Sequence, residues 1–120
     1  MNDFRMTESE YRFMKIIWQE GSIASSLLVD RCNDVLGWKK STTYTIVKRM
    51  AEKGFLKNEN SVVTALISRE QVEKFQSDHI VNSTFDGSLP KFIAAFMNDK
   101  KLTKEQAETL KQLIDSYSEK

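Results

Sequence analysis

Apolar residues recur at helical spacing through the first 37 residues, in two runs that each end at a glycine. Thr7 and Glu10 have the spacing of a capping box, and the apolar positions behind them predict a helix from about residue 8 to residue 20. Ser25 is expected to cap a second helix that ends at Gly37. A short link is expected between the two helices, made of Ser22, Ile23 and Ala24.

A third helix is predicted from about Ser41 to Lys53, and its two faces differ in character. Residues at i, i+3, i+4 and i+7 spacing form a face that we expect to be buried: Thr43, Ile46, Val47 and Met50. The opposite face and its flanks are polar: Ser41, Thr42, Tyr44, Thr45, Lys48 and Arg49. Such a helix packs one side on a core and leaves the other side exposed.

A β-hairpin and three further helices are predicted after Gly54. Phe55 and Leu56 lead through an Asn- and Ser-rich turn into a β-branched run at residues 62–67. The three later helices have cap signals at their starts: Ser68 with Gln71, Ser88 ahead of Pro90, and Thr103 with Gln106. Three helices followed by a hairpin is the order of a winged helix-turn-helix. We therefore predict a mainly α fold with a small β-hairpin (α+β), with a winged-helix DNA-binding domain at 1–68 and a helical dimerisation region at 69–120.

The composition is typical of a globular protein, and it excludes several kinds of functional site. Hydrophobic residues make up 40% of the 120, which is enough for a core. One Cys and one His cannot supply a disulfide framework or a clustered zinc site. A carboxylate metal site stays open but has no spacing signature, so we predict no metal and no cofactor. No Gly-rich phosphate loop or motif-placed nucleophile is present, so we expect no enzyme. No apolar run approaches the roughly 18 residues of a membrane span, and we expect a cytoplasmic protein without stable membrane association.

The net charge of +1 hides a local concentration of positive charge. Residues 38–57 hold six basic residues and one acidic residue, which suits a surface that neutralises phosphates. A solvated basic helix face is the alternative interpretation of this segment. Small hydroxyls beside the cations can bond phosphates or base edges without blocking close approach. The residues predicted to contact double-stranded DNA are Lys39, Lys40, Ser41, Thr42, Tyr44, Thr45, Lys48, Arg49 and Lys57.

Two apolar stripes lie beyond the hairpin, where a winged module is already complete. They consist of Phe92, Ile93, Phe96 and Met97 on the fifth helix, and of Leu110, Leu113, Ile114 and Tyr117 on the sixth. The stripes could extend the core of the same chain or pack against a second copy. Their position favours a homodimer, whose two-fold axis would place two recognition helices on a palindromic site.

Three runs of residues resemble the penicillinase and methicillin-resistance repressors, the BlaI/MecI/CopY type of bacterial transcription regulator. The first run is residues 7–18, and the third is residues 102–110. The second and more specific run consists of Trp38, Thr42, Thr45, Arg49, Met50 and the stretch Lys53-Gly54-Phe55-Leu56. The resemblance spans nearly the whole chain, and it implies a dimeric winged-helix repressor of an inverted-repeat operator.

The same resemblance implies how such a repressor releases DNA. In well-known members a membrane sensor metalloprotease detects a β-lactam, and the repressor is then cut in its dimerisation region. The matching position here is Ala95-Phe96, where better-studied members have Asn before the Phe. The copper-responsive branch carries paired C-terminal cysteines, and this chain has only Cys32, so copper sensing by that route is not expected.

Departures from the family pattern bear on which DNA is bound. Studied members often have Ser-Pro and Arg where this chain has Lys39-Lys40 and Tyr44, so its operator is expected to differ. Lys57 is the only basic residue of the hairpin, so few wing contacts are expected. Two other functions stay open: a small-molecule-responsive regulator with a pocket between helices, and a winged-helix adaptor that binds proteins and no DNA.

Overall fold

The computed structural model describes residues 3–119, and it confirms the predicted fold class, since most of the chain is helical and the strands form one small antiparallel sheet. The elements are α1 (Glu8–Glu20), β1 (Ser22–Ala24), α2 (Ser25–Leu36), α3 (Lys40–Glu52), β2 (Leu56–Glu59), β3 (Val62–Ala65), α4 (Arg69–Thr84), α5 (Leu89–Met97) and α6 (Lys104–Tyr117). This is the element order of a winged helix-turn-helix, with α3 in the place of the recognition helix and β2–β3 as the wing.

Side-chain caps fix the starts of four helices where the sequence signals them. The capping residues are Thr7, Ser68, Ser88 and Thr103. In the box at α1, the Thr7 hydroxyl accepts from the Glu10 N–H at 3.1 Å, and the Glu10 carboxylate accepts from the Thr7 N–H at 2.9 Å. Because a cap satisfies N–H groups that the helix itself cannot, these local signals place the helix starts reliably.

The sheet has a third strand that the sequence interpretation took for a link. Residues Ser22–Ala24 form β1, which pairs antiparallel with β3, and Ile23 lies opposite Val63. The strand order is β1-β3-β2, so β3 is the central strand. The wing turn is Asn60-Ser61, and both residues have positive φ, at 52° and 61°. Two such residues make the tight turn whose twist matches that of the flanking strands.

The start of α2 also corrects a prediction. Ser25 does not cap the helix, because it is the first helical residue and Ala24 occupies the cap position without a side-chain hydrogen bond. The Ser25 N–H instead donates to the Ser61 carbonyl at 2.8 Å. The Ser61 carbonyl of the wing turn therefore gives the first N–H group of α2 a hydrogen-bond acceptor. At α1, α4, α5 and α6 a capping side chain provides the acceptor for an N–H group of the first turn.

A single hydrophobic core lies under α1, α2, α3 and the sheet. Its fully buried large side chains include Phe13, Met14, Ile17, Leu28, Met50, Leu56 and Val63. The Thr43 hydroxyl is buried without a nitrogen or oxygen partner among residues 3–119. Burial raises the pKa of the neighbouring Cys32 thiol, and the Thr43 hydroxyl partly offsets that rise. The thiol is therefore a protonated packing residue between α2 and α3.

The chain forms two compact units that divide inside α4, between His79 and Ile80. In the first unit, Val72 of α4 is fully buried, and the Glu73 carboxylate accepts from the Tyr11 hydroxyl at 3.1 Å. The first turns of α4 therefore pack with the winged module, and the division between the two compact units lies inside this helix.

The second unit has half-buried and exposed side chains but no core of its own among the residues that the structure describes. No described residue from Ile80 to Glu119 is buried, although α5 and α6 both carry large apolar residues. Phe85 and Phe92 meet edge to face at 5.4 Å, and Phe92 stacks on Phe96 at 6.0 Å. Among residues 3–119, none of the helices has the length and apolar character needed to cross a membrane.

Candidate nucleic-acid interface

Helix α3 separates its residues into a core face and an exposed face, as its spacing predicts. Thr43, Ile46, Val47 and Met50 are all buried. The predicted contact residues on the other side are all exposed: Ser41, Thr42, Tyr44, Thr45, Lys48 and Arg49. The core thus fixes the helix, and a continuous polar face is left for another molecule.

The turn before α3 is held by Trp38. Its ring stacks on the Phe13 ring, with 5.8 Å between the ring centres. Its backbone N–H donates to the Cys32 carbonyl, and its backbone carbonyl accepts from the Asn33 side-chain amide at 3.1 Å. The next residue, Lys39, occupies the cap position of α3 and makes no capping side-chain bond. The first N–H groups of α3 are therefore not taken by a capping side chain, and Lys39 and Lys40 add two positive charges beside them.

The hydroxyl and aromatic groups of the exposed face differ in what they can offer. The Thr45 hydroxyl donates to the Ser41 carbonyl at 2.9 Å. Because a hydroxyl has one proton, Thr45 can only accept from DNA while this bond lasts. The Lys40 ammonium lies 5.9 Å from the centre of the Tyr44 ring, a cation–π distance. Tyr44 thereby holds a lysine at the start of the recognition helix.

Arg49 and Lys53 share one buried carboxylate from α1. The Glu10 side chain is only 6% exposed, and its Oε2 lies 3.5 Å from Arg49 Nε and 3.3 Å from Lys53 Nζ. Burial raises the pKa of Glu10, but the Thr7 N–H and the Lys53 ammonium outweigh that effect, so the pKa lies below its ordinary value. Glu10 is therefore ionised at neutral pH, and it ties the start of α1 to the C-terminal half of α3.

The wing carries its one cation in an ion pair. Lys57 Nζ lies 3.7 Å from the Glu59 carboxylate, and both side chains are exposed. The charges of Lys57 and Glu59 cancel, so these two residues give the wing no net charge. Lys57 can approach a phosphate only with a carboxylate beside it, which weakens the attraction.

The residues predicted for dimerisation and cleavage all lie on α5 and α6. Phe92 and Met97 are half-buried, and the others are exposed: Ile93, Phe96, Leu110, Leu113, Ile114 and Tyr117. Ala95 and Phe96 are both exposed and occupy the last turn of α5. The Lys100 ammonium donates to the Phe96 carbonyl at 2.6 Å and lies 4.5 Å from its ring centre.

Two residues that lie with Arg49 in one charged cluster were not predicted to do so from the sequence. The sequence predicts Glu10 as a capping residue and Lys53 as the end of the helix, and both lie in the runs that resemble the family, but it predicts no ion pair for either. In the structure both meet Arg49 in one charged cluster. The spacing of the capping box was the available signal for Glu10, but the pairing joins residues 43 positions apart. Within residues 3–119, no group of three or more His, Cys, Asp or Glu side chains could hold a metal ion.

Comparisons with known proteins bear on this surface. The sequence profile of the penicillinase repressor family matches residues 6–116. The penicillinase repressor of Bacillus licheniformis is 22% identical over 117 residues, which are 94% of this chain and 91% of that protein. The uncharacterized 16.5 kDa protein in the ptsI 3′ region of Latilactobacillus sakei is 38% identical over 58 residues, 48% of this chain and 40% of that protein. Among solved structures, the reduced form of MarR from E. coli matches this chain with a TM-score of 0.47 and 16% sequence identity. The match covers 92% of this chain and 73% of the MarR chain.

The family match begins just before α1 and ends within the last turn of α6, so it takes in the exposed face of α3 and both later apolar helices. The resemblance seen in the sequence is confirmed. The chain belongs to the penicillinase repressor family and is accordingly a DNA-binding transcriptional repressor rather than an enzyme.

Proposed function

We propose that the protein represses transcription as a homodimer that binds a palindromic operator through α3 of each copy. The exposed polar face of α3 carries this proposal, because every residue on it is accessible while the opposite face is locked in the core. A helix held in this way can enter the major groove without any change in the fold.

The contacts on this face divide by chemistry. Lys39, Lys40, Lys48 and Arg49 are assigned to phosphates, and the uncapped first turn of α3 adds backbone N–H donors for the same purpose. Ser41, Thr42, Tyr44 and Thr45 are assigned to base edges or nearby phosphates. Lys57 adds one weak wing contact because Glu59 stands beside it. Lysines at the start of the helix make binding dependent on salt, and the short side chains make it dependent on sequence.

The lysine assignments are tested with Lys40→Ala and Lys48→Ala in the full chain. Each is expected to weaken binding across sequences and to lower the slope of log affinity against log salt by about one unit. The matched control is Lys111→Ala, which removes an exposed lysine of α6 and should leave the slope unchanged. Fluorescence anisotropy on a labelled duplex, titrated at several salt concentrations, measures both quantities. Unchanged slopes in Lys40→Ala and Lys48→Ala would place the DNA surface elsewhere.

We assign the contact with a second copy of the chain to the second compact unit. Large apolar side chains on α5 and α6 remain exposed, among them Tyr117 at 83%, Ile114 at 62% and Phe96 at 54%. The unit has aromatic contacts of its own, but none of its described residues is fully buried, so much of its apolar surface is left in contact with water. A second copy of the same unit offers the complementary stripes, and its two-fold axis matches a palindrome.

Release of DNA is assigned to cleavage between Ala95 and Phe96 by a membrane sensor metalloprotease. A protease needs an extended substrate, and this bond lies in the last turn of a nine-residue helix, where helices fray most easily. A cut there separates α6 from the winged module and removes six of the eight residues assigned to the dimer, since only Phe92 and Ile93 precede it. The repressor is the substrate of this protease and is bound to DNA until the cut, so we also assign it to the cytoplasm. We propose no stable membrane association and no cofactor.

Avidity explains why loss of the dimer suffices for release. One winged module binds a half-site weakly, and linking two modules makes the second contact intramolecular, which raises affinity by about 100-fold or more. A chain cut after Ala95 would retain the first unit with its own core but lose this gain. Its operator affinity is expected to fall to that of a single half-site.

A further inference from the structure

Glu10 is an ionised carboxylate in a place that disfavours charge. Its side chain is 6% exposed, and a buried carboxylate is costly unless cations and hydrogen bonds compensate it. The compensation comes from the backbone N–H of Thr7, which caps its own helix, and from two cations, Arg49 of α3 and Lys53 at the C-cap of α3. The three charged side chains together carry one positive charge, and the cations are on the exposed side of the cluster.

The geometry at Arg49 has a direct consequence for DNA. Glu10 meets the guanidinium at Nε, and the Arg49 side chain remains 52% exposed. A guanidinium has five N–H donors in a rigid plane, so a contact at Nε leaves the two terminal amino groups available. Arg49 makes no other ion pair within residues 3–119, and it follows Lys48 at the edge of the exposed face.

We propose that Glu10 is a positioning residue for DNA binding, which holds the Arg49 guanidinium by Nε so that its terminal amino groups face a phosphate of the operator. This rests on the proposed assignment of α3 to DNA. A free arginine loses rotamer freedom when it binds a phosphate, and an arginine already held by a buried partner loses less. Glu10 therefore strengthens binding through Arg49, although it is itself an anion near the DNA.

The sign of the effect separates this proposal from simple charge repulsion. A carboxylate near the phosphates should weaken binding if it acts only through its charge, so its removal would then strengthen binding to every sequence. A positioning role predicts the opposite, because without Glu10 the arginine must be ordered by the DNA alone. Because Glu10 also pairs with Lys53, the effect that passes through Arg49 is isolated by repeating the Glu10 substitution in a chain that lacks Arg49.

Glu10→Gln is the informative substitution because this chain shows that glutamine can fill the same capping position. In the boxes at α4 and α6, Gln71 and Gln106 accept the N–H bonds at 2.8 and 3.0 Å. Glu10→Gln should therefore keep the cap of α1 and remove only the charge. Glu8→Gln, one residue into the same turn and exposed, is the control for removing a negative charge without touching Arg49.

The experiment measures affinity for two duplexes at a temperature where every variant is folded by circular dichroism. One duplex is the tightest binder selected from a random library by the full chain, and the other is a scrambled duplex of the same length. We expect Glu10→Gln to weaken binding to the selected duplex by about five- to tenfold, and to have no further effect in an Arg49→Ala background. Glu8→Gln should change the affinity less than about twofold.

Unchanged or tighter binding by Glu10→Gln overturns the proposal, and so does an equal loss in the Arg49→Ala background. If Glu10→Gln does not fold, Arg49→Lys tests the same contact, because lysine keeps the charge and lacks the planar fork; full affinity in that variant overturns the proposal. A wild-type chain that binds both duplexes equally would contradict the proposed function itself, which is a different outcome.

Discussion

At the scale of single residues, the wing has a carboxylate where a DNA-binding hairpin would gain from a cation. Glu59 lies 3.7 Å from Lys57 and is 68% exposed, so it is positioned to repel phosphates and to hold the lysine away from them. In the proposed complex we therefore expect the wing to contribute little to DNA affinity and α3 to supply most of it.

Glu59→Gln is expected to raise affinity for DNA about two- to threefold at low salt, because it frees Lys57 and removes an anion near the phosphates. The gain should shrink as salt is raised, since exposed charges are screened. Glu108→Gln, which removes an exposed carboxylate of α6, is the control. A gain of equal size in the control, or no gain in Glu59→Gln at any salt concentration, would show that the wing lies away from DNA.

Glu10 also gives the fold a defined response to acid. Its pKa is lowered in the folded chain, so it stabilises the fold above its ordinary pKa and loses that contribution as the pH falls through the lowered value. The groups that face it are the Arg49 and Lys53 side chains and the Thr7 N–H. The unfolding free energy of Glu10→Gln, measured in urea, should therefore depend less on pH below about 5 than that of the wild type. Identical pH profiles would show that the carboxylate contributes nothing through its charge.

At the scale of elements, local signals were sufficient for most helices and insufficient for the sheet. The starts of α1, α5 and α6 could be predicted because their caps depend on residues within three positions. The strand β1 could not, because its three residues become a strand only by pairing with β3, about 40 positions away. The same limit applies to the start of α2, which is held by the Ser61 carbonyl of the wing turn.

The wing turn allows a direct test of these backbone arguments. Ser61 has φ of 61°, a conformation that costs most residues about 1 kcal/mol and glycine much less. Ser61→Gly makes the turn Asn-Gly, the preferred pair for this turn type, and keeps the carbonyl that accepts from Ser25. Glycine also raises the conformational entropy of the unfolded chain, which offsets part of this gain. We therefore expect Ser61→Gly to stabilise the fold by about 0.5 kcal/mol.

Asn60→Gly is the matched comparison for thermal and urea unfolding. Asparagine tolerates the left-handed conformation better than serine, so this change should gain less than Ser61→Gly. A destabilised Ser61→Gly would show that the turn does not hold the conformation described here.

The candidate site was predictable where it depends on the period of one helix. The exposure of Ser41, Thr45 and Lys48 follows from the 3.6-residue repeat that buries the opposite face of α3. The Glu10 contact with Arg49 and Lys53 was not predictable, because it depends on how α1 packs against α3. Periodicity identifies which residues face outward, and tertiary packing decides which of them are already paired.

At the scale of the whole molecule, the two units contrast in what they bury. The first has a core of fully buried residues, and the second has none among those described. This contrast is the reason to assign the second unit to a homodimer.

The double variant Leu110→Asp with Ile114→Asp is expected to be monomeric, because it places two carboxylates in the apolar stripe of α6. Gln112→Asp with Ser116→Asp is the control, since it adds the same charges to the same helix at exposed polar positions. Sedimentation velocity of the full chains distinguishes monomer from dimer. A dimer that persists in the stripe variant would remove α6 from the interface.

If one dimer places two α3 helices on one palindrome, as proposed, binding must depend on the spacing between the two half-sites. Affinity of the full chain should be measured on the selected palindrome and on a duplex with five base pairs inserted between its half-sites, which turns them to opposite sides of the DNA. We predict two protomers per intact duplex and an affinity loss of about 100-fold on insertion, because avidity is lost. Equal affinity for both duplexes, or one protomer per duplex, would contradict the account.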